Sequence, residues 1–200
     1  MQGAGRNFTI TKDNMSELKQ ELQRAIREVP NIDKLKNHID MTVTNEGLRI
    51  ELMESASGTF FESGSSKVNE DGKDILVALA HELGKLPNKI YVEGHTDSKP
   101  YAETSNYTNW ELSADRANAT RRLIQANGVN PEQVTQVRGF ADQNLRKPDA
   151  PLDPSNRRVS MIVQYLVKRP EESESPAPKE GSSEQKPAEN SSPKSSSSEH

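Results

Sequence analysis

Cysteine is absent from the 200 residues, which excludes disulfides, thiol catalysis and cysteine-ligated zinc. Apolar residues are scarce as well, at 31% against a usual globular share of roughly 45–50%. Their longest run, Ile75 to Ala80, is six residues, while a membrane-spanning helix needs about 20. No signal-peptide pattern opens the chain, so a soluble polypeptide is expected. Charge of one sign is lacking too, once the C-terminal segment is set apart. Residues 171–200 hold seven acidic residues, three lysines, ten serines and four prolines, but only two apolar residues, Ala177 and Ala188. The remainder carries 23 basic and 23 acidic residues (26 less 3 and 30 less 7), so the net −4 belongs to the tail. A neutral body argues against nucleic acid as a partner. The tail cannot bury a core and is expected to be disordered.

The chemistry of common active sites is missing in the same way. The four histidines, at 38, 81, 95 and 200, nowhere form His-x3-His spacing, so no metal site is expected. No phosphate-cradling glycine loop points to a nucleotide, and no cofactor is expected. His95, Asp97 and Ser113 include the residue types of a hydrolytic triad, but no Gly-x-Ser-x-Gly elbow presents the serine. No catalytic residue is assigned.

What is present reads as an α/β (α+β) sandwich. After a polar segment, residues 1–12, the spacing of Leu18, Leu22, Ala25 and Val29 predicts an amphipathic helix from Met15. Asn14 and Glu17 are placed as a capping box for it. Pro30 interrupts this helix, and Ile32, Leu35 and Ile39 predict a short second piece. Its stripe is narrow, so it must dock on the domain or on another copy. Met41–Thr44 and Leu48–Leu52 alternate about the turn Asn45-Glu-Gly47, which predicts a β-hairpin. Helices follow from Asn69, carrying Ile75, Leu79, Leu83 and Leu86, and from Thr108 to near Gly128, where Thr108 and Glu111 form a second capping box. Strands are expected at 89–93, 134–137 and 157–166. The order β-β-α-β-α-β-β predicts a mixed sheet with two helices packed on one face, preceded by the amphipathic helix.

Three polar groups stand where strands meet loops or helices, the usual place for sites on such sheets. They are His95-Thr96-Asp97, the helix start Asn109 to Arg116, and Asn156-Arg157-Arg158. Singly each has a bland reading: an Asp after a strand is commonly a turn former, and helix or paired arginines are commonly solvated. Together they offer one carboxylate and several guanidinium groups to one crevice. That set suits a zwitterion, whose ammonium Asp97 would take and whose carboxylate an arginine would clamp.

The motifs Gly94-His-Thr-Asp97, Asn109-x-x-Leu112-Ser113-x-x-Arg116-Ala117, Gly139 and Asn156-Arg157-Arg158-Val159 resemble the OmpA-like peptidoglycan-binding domain, over roughly Gly47 to Val167. The longer stretch Tyr107 to Asn118, with Glu46-Gly-Leu-Arg-Ile50 and the helix from 15 to 29, is similar to the periplasmic part of flagellar stator B (MotB) subunits. The resemblance implies a cell-wall anchor at 40–169, behind a linker helix region at 13–39 and ahead of the tail at 170–200. Its ligand would be the diaminopimelate-containing stem peptide of peptidoglycan. Asp97 would receive the ligand's ammonium or amide groups and Arg116 its carboxylate. Asn109 and Leu112 would lie on the same wall, and Thr96 would orient the loop. Arg157 and Arg158 both match the family's Asn-Arg-Arg motif, and alternation along a strand puts them on opposite faces, leaving open which meets the ligand.

The same resemblance implies a homodimer and, in a full-length protein, a stator A (MotA) partner. It also implies a single-pass inner-membrane protein whose membrane segment is absent from this chain. The segment Ser98 to Thr108 is longer than in many outer-membrane relatives. Two other readings share parts of this evidence: an anchor of another envelope machine, and a peptidoglycan-processing enzyme.

Overall fold

The structure is a computed structural model that describes residues 14–56, 59–101 and 106–166. The expected polar segment at 1–12 and the expected tail at 170–200 lie outside the described residues. Helix α1 is Met15–Arg27, and a single further turn, α2, is Ile32–Leu35. Strands β1 (Ile39–Val43) and β2 (Gly47–Met53) form the hairpin, followed by α3 (Glu70–Leu83) and β3 (Ile90–His95). Helix α4 (Asn109–Ala126), β4 (Val134–Gly139) and β5 (Arg158–Gln164) complete the order. The result is one open five-stranded mixed sheet, β1-β2-β5-β3-β4, in which only β3 and β4 run parallel. Among the described residues no helix is long and apolar enough to cross a membrane.

Local chemistry accounts for most of these boundaries. Asn69 Oδ1 accepts the Gly72 N–H at 2.8 Å and starts α3. Thr108 and Glu111 close a reciprocal capping box on α4. The capping box expected on α1 does not form: the Asn14 side chain makes no cap bond, and its carbonyl accepts the N–H groups of Glu17 and Leu18 instead. Ile39, read as helical, opens β1 and pairs with Leu52, because the sheet ladder offers its backbone partners that a frayed helix end lacks.

Alternation along the strands sorts the two faces of the sheet. Leu48, Ile50 and Leu52 of β2 stand opposite Val163, Met161 and Val159 of β5, and all six belong to the buried core beneath the helices. Helix α1 belongs to the same layer. It packs against α3 and buries Met15, Leu18, Leu22 and Ile26 in the common core. The docking that the sequence leaves open between the domain and another copy is therefore made on the domain.

The opposite face carries charge. Glu51 accepts from Arg158 Nε at 2.9 Å and also pairs with Arg146, which reaches Asp40 at 3.1 Å. Glu93 takes Arg49 at 3.0 Å and Arg138 at 3.1 Å. Burial alone would raise the Glu93 carboxyl, but His95 and Arg49 outweigh it and hold the group at about 2. His95 is fully buried and stacks on Phe140, with ring centroids 5.0 Å apart. Burial pushes its pKa below the ordinary value, so it is folded in the neutral form.

Two predictions follow from this packing. Leu22→Asn places a polar amide in the α1–α3 contact, at a cost of about 2–5 kcal/mol. Amide exchange over Met15–Arg27 should rise roughly thirtyfold or more, while β2, β5 and β3 stay much better protected. Hydrogen exchange read by mass spectrometry decides it. The second concerns acid. A buried His with a depressed pKa binds fewer protons folded than unfolded, so its stabilising effect is complete above about pH 6.5 and is lost as pH falls from there through its folded value. His95→Phe should flatten the fall in melting temperature between pH 6.5 and 5. It should also shrink part of the loss from about pH 4.5 down through about 2, because His95 is one of the groups that hold the Glu93 carboxyl down.

Candidate functional site

A close approach of two backbones sets the site. A Cβ on Gly94 would sit 1.9 Å from the Ser113 carbonyl oxygen, so β3 can lie against α4 only because residue 94 has no side chain. Ser113 is the clasp. Its hydroxyl donates to the Trp110 carbonyl at 3.0 Å and accepts the Ala141 N–H at 3.0 Å. Ala141 in turn sits in the left-handed region, at φ 47°, and its carbonyl accepts the Thr96 N–H at 2.8 Å. The end of β3 is thereby pinned beside the first two turns of α4. Thr96-Asp97 faces Asn109, Leu112 and Arg116 across a cleft of about 300 Å³. Ser113 thus has a structural task in helix–strand packing.

Six of the seven residues singled out in the sequence line this cleft: Thr96, Asp97, Asn109, Leu112, Arg116 and Arg157. Asp97 is buried and is held by Arg157, whose Nη1 lies 2.6 Å from Oδ2. Its Oδ1 accepts the Lys99 N–H at 3.1 Å. The Thr96 hydroxyl turns back onto the Asp97 carbonyl at 2.9 Å. Asn109 Nδ2 donates to the Lys99 carbonyl at 3.0 Å, tying the loop after β3 to the helix.

Arg158 is placed elsewhere, in the charged outer face with Glu51. The parity of β5 carries the answer that sequence reading leaves open. Arg157 shares its side with Val159, Met161 and Val163, which face the helices, whereas Arg158 shares its side with Ser160.

Arg116 differs from Arg157, the other arginine that lines the cleft. It is 3% exposed. Nε donates to the Ser65 carbonyl at 2.9 Å, and the guanidinium lies 5.1 Å from the Phe61 ring centroid. Nη1 is buried with no hydrogen-bond partner among the described residues. The neighbouring helix carboxylates do not serve it: Glu111 is occupied by Thr108, and Asp115 by the Tyr107 hydroxyl at 2.7 Å. Burial lowers the Arg116 pKa, opposed first by the charge of Glu54. A buried cation with a spare donor favours an anionic guest, and a carboxylate meets a guanidinium fork with two parallel bonds.

Two cleft features escape the sequence reading. Glu54, just past β2, lines the cleft and is 4% exposed, although a Glu before small turn residues reads as solvated. Tyr101 donates to the Gly64 carbonyl at 2.8 Å, joining the loops on the two sides of the opening. No group of three His, Cys, Asp or Glu placed to hold a metal occurs among the described residues.

The chain is similar to known proteins in sequence and in fold. Residues 60–160 match the model of the OmpA family. Motility protein B of Escherichia coli (strain K12) is 37% identical over 155 residues, which are 77% of this chain and 50% of that protein. The chain thus spans about half the length of the curated relatives it matches first. The crystal structure of the periplasmic domain of Helicobacter pylori MotB (residues 97–256) superposes with a TM-score of 0.56 at 26% identity, covering 64% of this chain and 89% of that one. The cell wall anchor of the T6SS from Pseudomonas aeruginosa superposes with a TM-score of 0.58 at 23% identity, covering 72% and 97%, a likeness of fold. With a family match across half its length, and with the motif residues gathered around one cleft, the chain belongs to the OmpA family.

Proposed function

We propose that this domain is a non-catalytic cell-wall anchor that binds the diaminopimelate-containing stem peptide of peptidoglycan. The observation that carries the reading is the buried Arg116 guanidinium, with Nη1 unpartnered among the described residues, across the cleft from the Asp97–Arg157 pair. A free amino-acid centre offers an opposite charge to each of Arg116 and Asp97. Its carboxylate meets Arg116 and its ammonium meets Asp97, which keeps lone pairs available beside the Arg157 and Lys99 contacts. Asn109 and Leu112 complete the wall, and Thr96 shapes the loop that presents Asp97. Arg157 acts from behind, orienting the carboxylate.

Membership of the OmpA family and the likeness to motility protein B extend the proposal to the whole protein. The domain sits in the periplasm and secures a flagellar stator B subunit of the inner membrane to the wall, so that torque can be delivered against a fixed support. A homodimer and a stator A (MotA) partner belong to the same proposal. An anchor of another envelope assembly would use the same cleft with different partners, so co-purification with a stator A subunit separates the two.

Losing a charge-assisted hydrogen bond to the ligand costs about 1.5–3 kcal/mol, roughly ten- to a hundredfold in affinity. Asp97→Asn and Arg116→Ala are each expected to weaken co-sedimentation with purified sacculi by that factor. The double variant should lose less than the product, since both groups hold one centre. Circular dichroism controls for folding. Folded variants that sediment like the parent would remove Arg116 and Asp97 from the site, and release of soluble muropeptides by the parent would replace the anchor with an enzyme.

A further inference from the structure

Glu54 does something that the charge of the cleft does not require. Its carboxylate accepts three successive main-chain N–H groups: Thr59 at 2.6 Å on Oε2, and Phe60 and Phe61 at 3.1 and 3.0 Å on Oε1. A buried carboxylate so bound fixes the peptide planes that it touches. Those planes lead into the wall that holds Arg116. Phe61 supplies the ring against the guanidinium, and the Ser65 carbonyl, four residues on, receives Nε. The residue after Glu54 serves the other arginine, since the Ser55 carbonyl accepts Arg157 Nη2 at 2.7 Å.

We propose that Glu54 is the positioning residue of the carboxylate clamp: it fixes the Thr59–Phe61 backbone, and through it the direction in which Arg116 presents Nη1. This deepens the stem-peptide reading and rests on it for the identity of the ligand. Glu54 itself donates nothing to an anionic guest. As a negative charge near Arg116 it opposes one, which makes its two conceivable roles separable. If Glu54 were only a counter-charge, neutralising it would strengthen the attraction of the cleft for a carboxylate. If it positions, neutralising it weakens binding although the cleft becomes more positive. Glu54→Gln distinguishes these roles, because the amide keeps one acceptor oxygen for Phe60 and Phe61 but turns an N–H group toward the Thr59 N–H.

The test uses the whole chain, free meso-diaminopimelate as the probe, and two readouts. Calorimetry of Glu54→Gln should show affinity lower by about tenfold. In an Arg116→Ala background the same change should cost less than twofold, because the residue through which Glu54 acts is gone. NMR of the arginine side chains needs no ligand. The Arg116 Nε–H, hydrogen-bonded to Ser65 in the parent, should exchange faster and move toward free guanidinium shifts in Glu54→Gln while the β2 and β5 amides keep theirs. Should Glu54→Gln not fold, Glu54→Asp retains the charge but loses the reach of one methylene, and it should show the same two effects. Tighter binding by either variant, or an unchanged Arg116 Nε–H signal, would overturn the proposal. A parent that does not bind the probe would sink the stem-peptide reading alone, and the Arg116 signal would still decide the role of Glu54.

Discussion

The contact of two backbones at Gly94 and Ser113 is the constraint on which the site depends. Helix and strand layers ordinarily stand apart by the thickness of their side chains, and here one of those side chains is missing. The closeness lets one hydroxyl, on Ser113, reach across to the Ala141 N–H and hold the turn after β4 against the end of β3. From that clasp the positions of Thr96, Asp97, Asn109 and Leu112 follow with little freedom. The apolar core beneath the helices supplies the cohesion, but it would tolerate small shifts of α4 along the sheet. The Gly94 contact would not.

Buried charge is used in two different ways on the two sides of the sheet. On the outer face Arg158, Arg146, Arg49 and Arg138 meet Glu51 and Glu93, and each carboxylate is matched by two guanidinium groups. Desolvating ions is costly, and a network of this kind recovers the cost only when its members are mutually satisfied. In the cleft Asp97 and Arg157 are matched in the same manner, and among the described residues Arg116 has no carboxylate partner. A satisfied buried ion contributes to architecture, whereas one with a spare donor is a demand made on a visitor. This distinction separates Arg158 from Arg116, two arginines of nearly equal burial, by function.

Much of the fold was legible because its signals are local. The hairpin about Gly47, the capping box at Thr108 and the apolar spacing of α3 each depend on residues a few positions apart. The cleft was legible in its charges, since Asp97 and Arg116 lie at a strand end and in a helix start that the topology brings together. What escaped depends on long-range packing. Ile39 changed from helix to strand because β2 offered a ladder, and α1 found its partner in α3, a pairing that its own stripe could not name. Glu54 reads as a solvated end of strand until the loop from Thr59 folds over it and offers three N–H groups that no pattern in the sequence announces.

Trp110 stands on the first turn of α4, half exposed, between Asn109 and the residues that carry Leu112 and Arg116. It is the only tryptophan in the chain, and among the described residues the buried apolar aromatic rings are those of Phe60 and Phe61. Excited at wavelengths that spare tyrosine, the protein therefore has one luminescent origin, and it belongs to the turn of helix at the rim of the cleft. The interior is dark at those wavelengths. Emission colour and quenching report on the hydration of that single turn, so the molecule carries its own optical label at the place where its chemistry is concentrated.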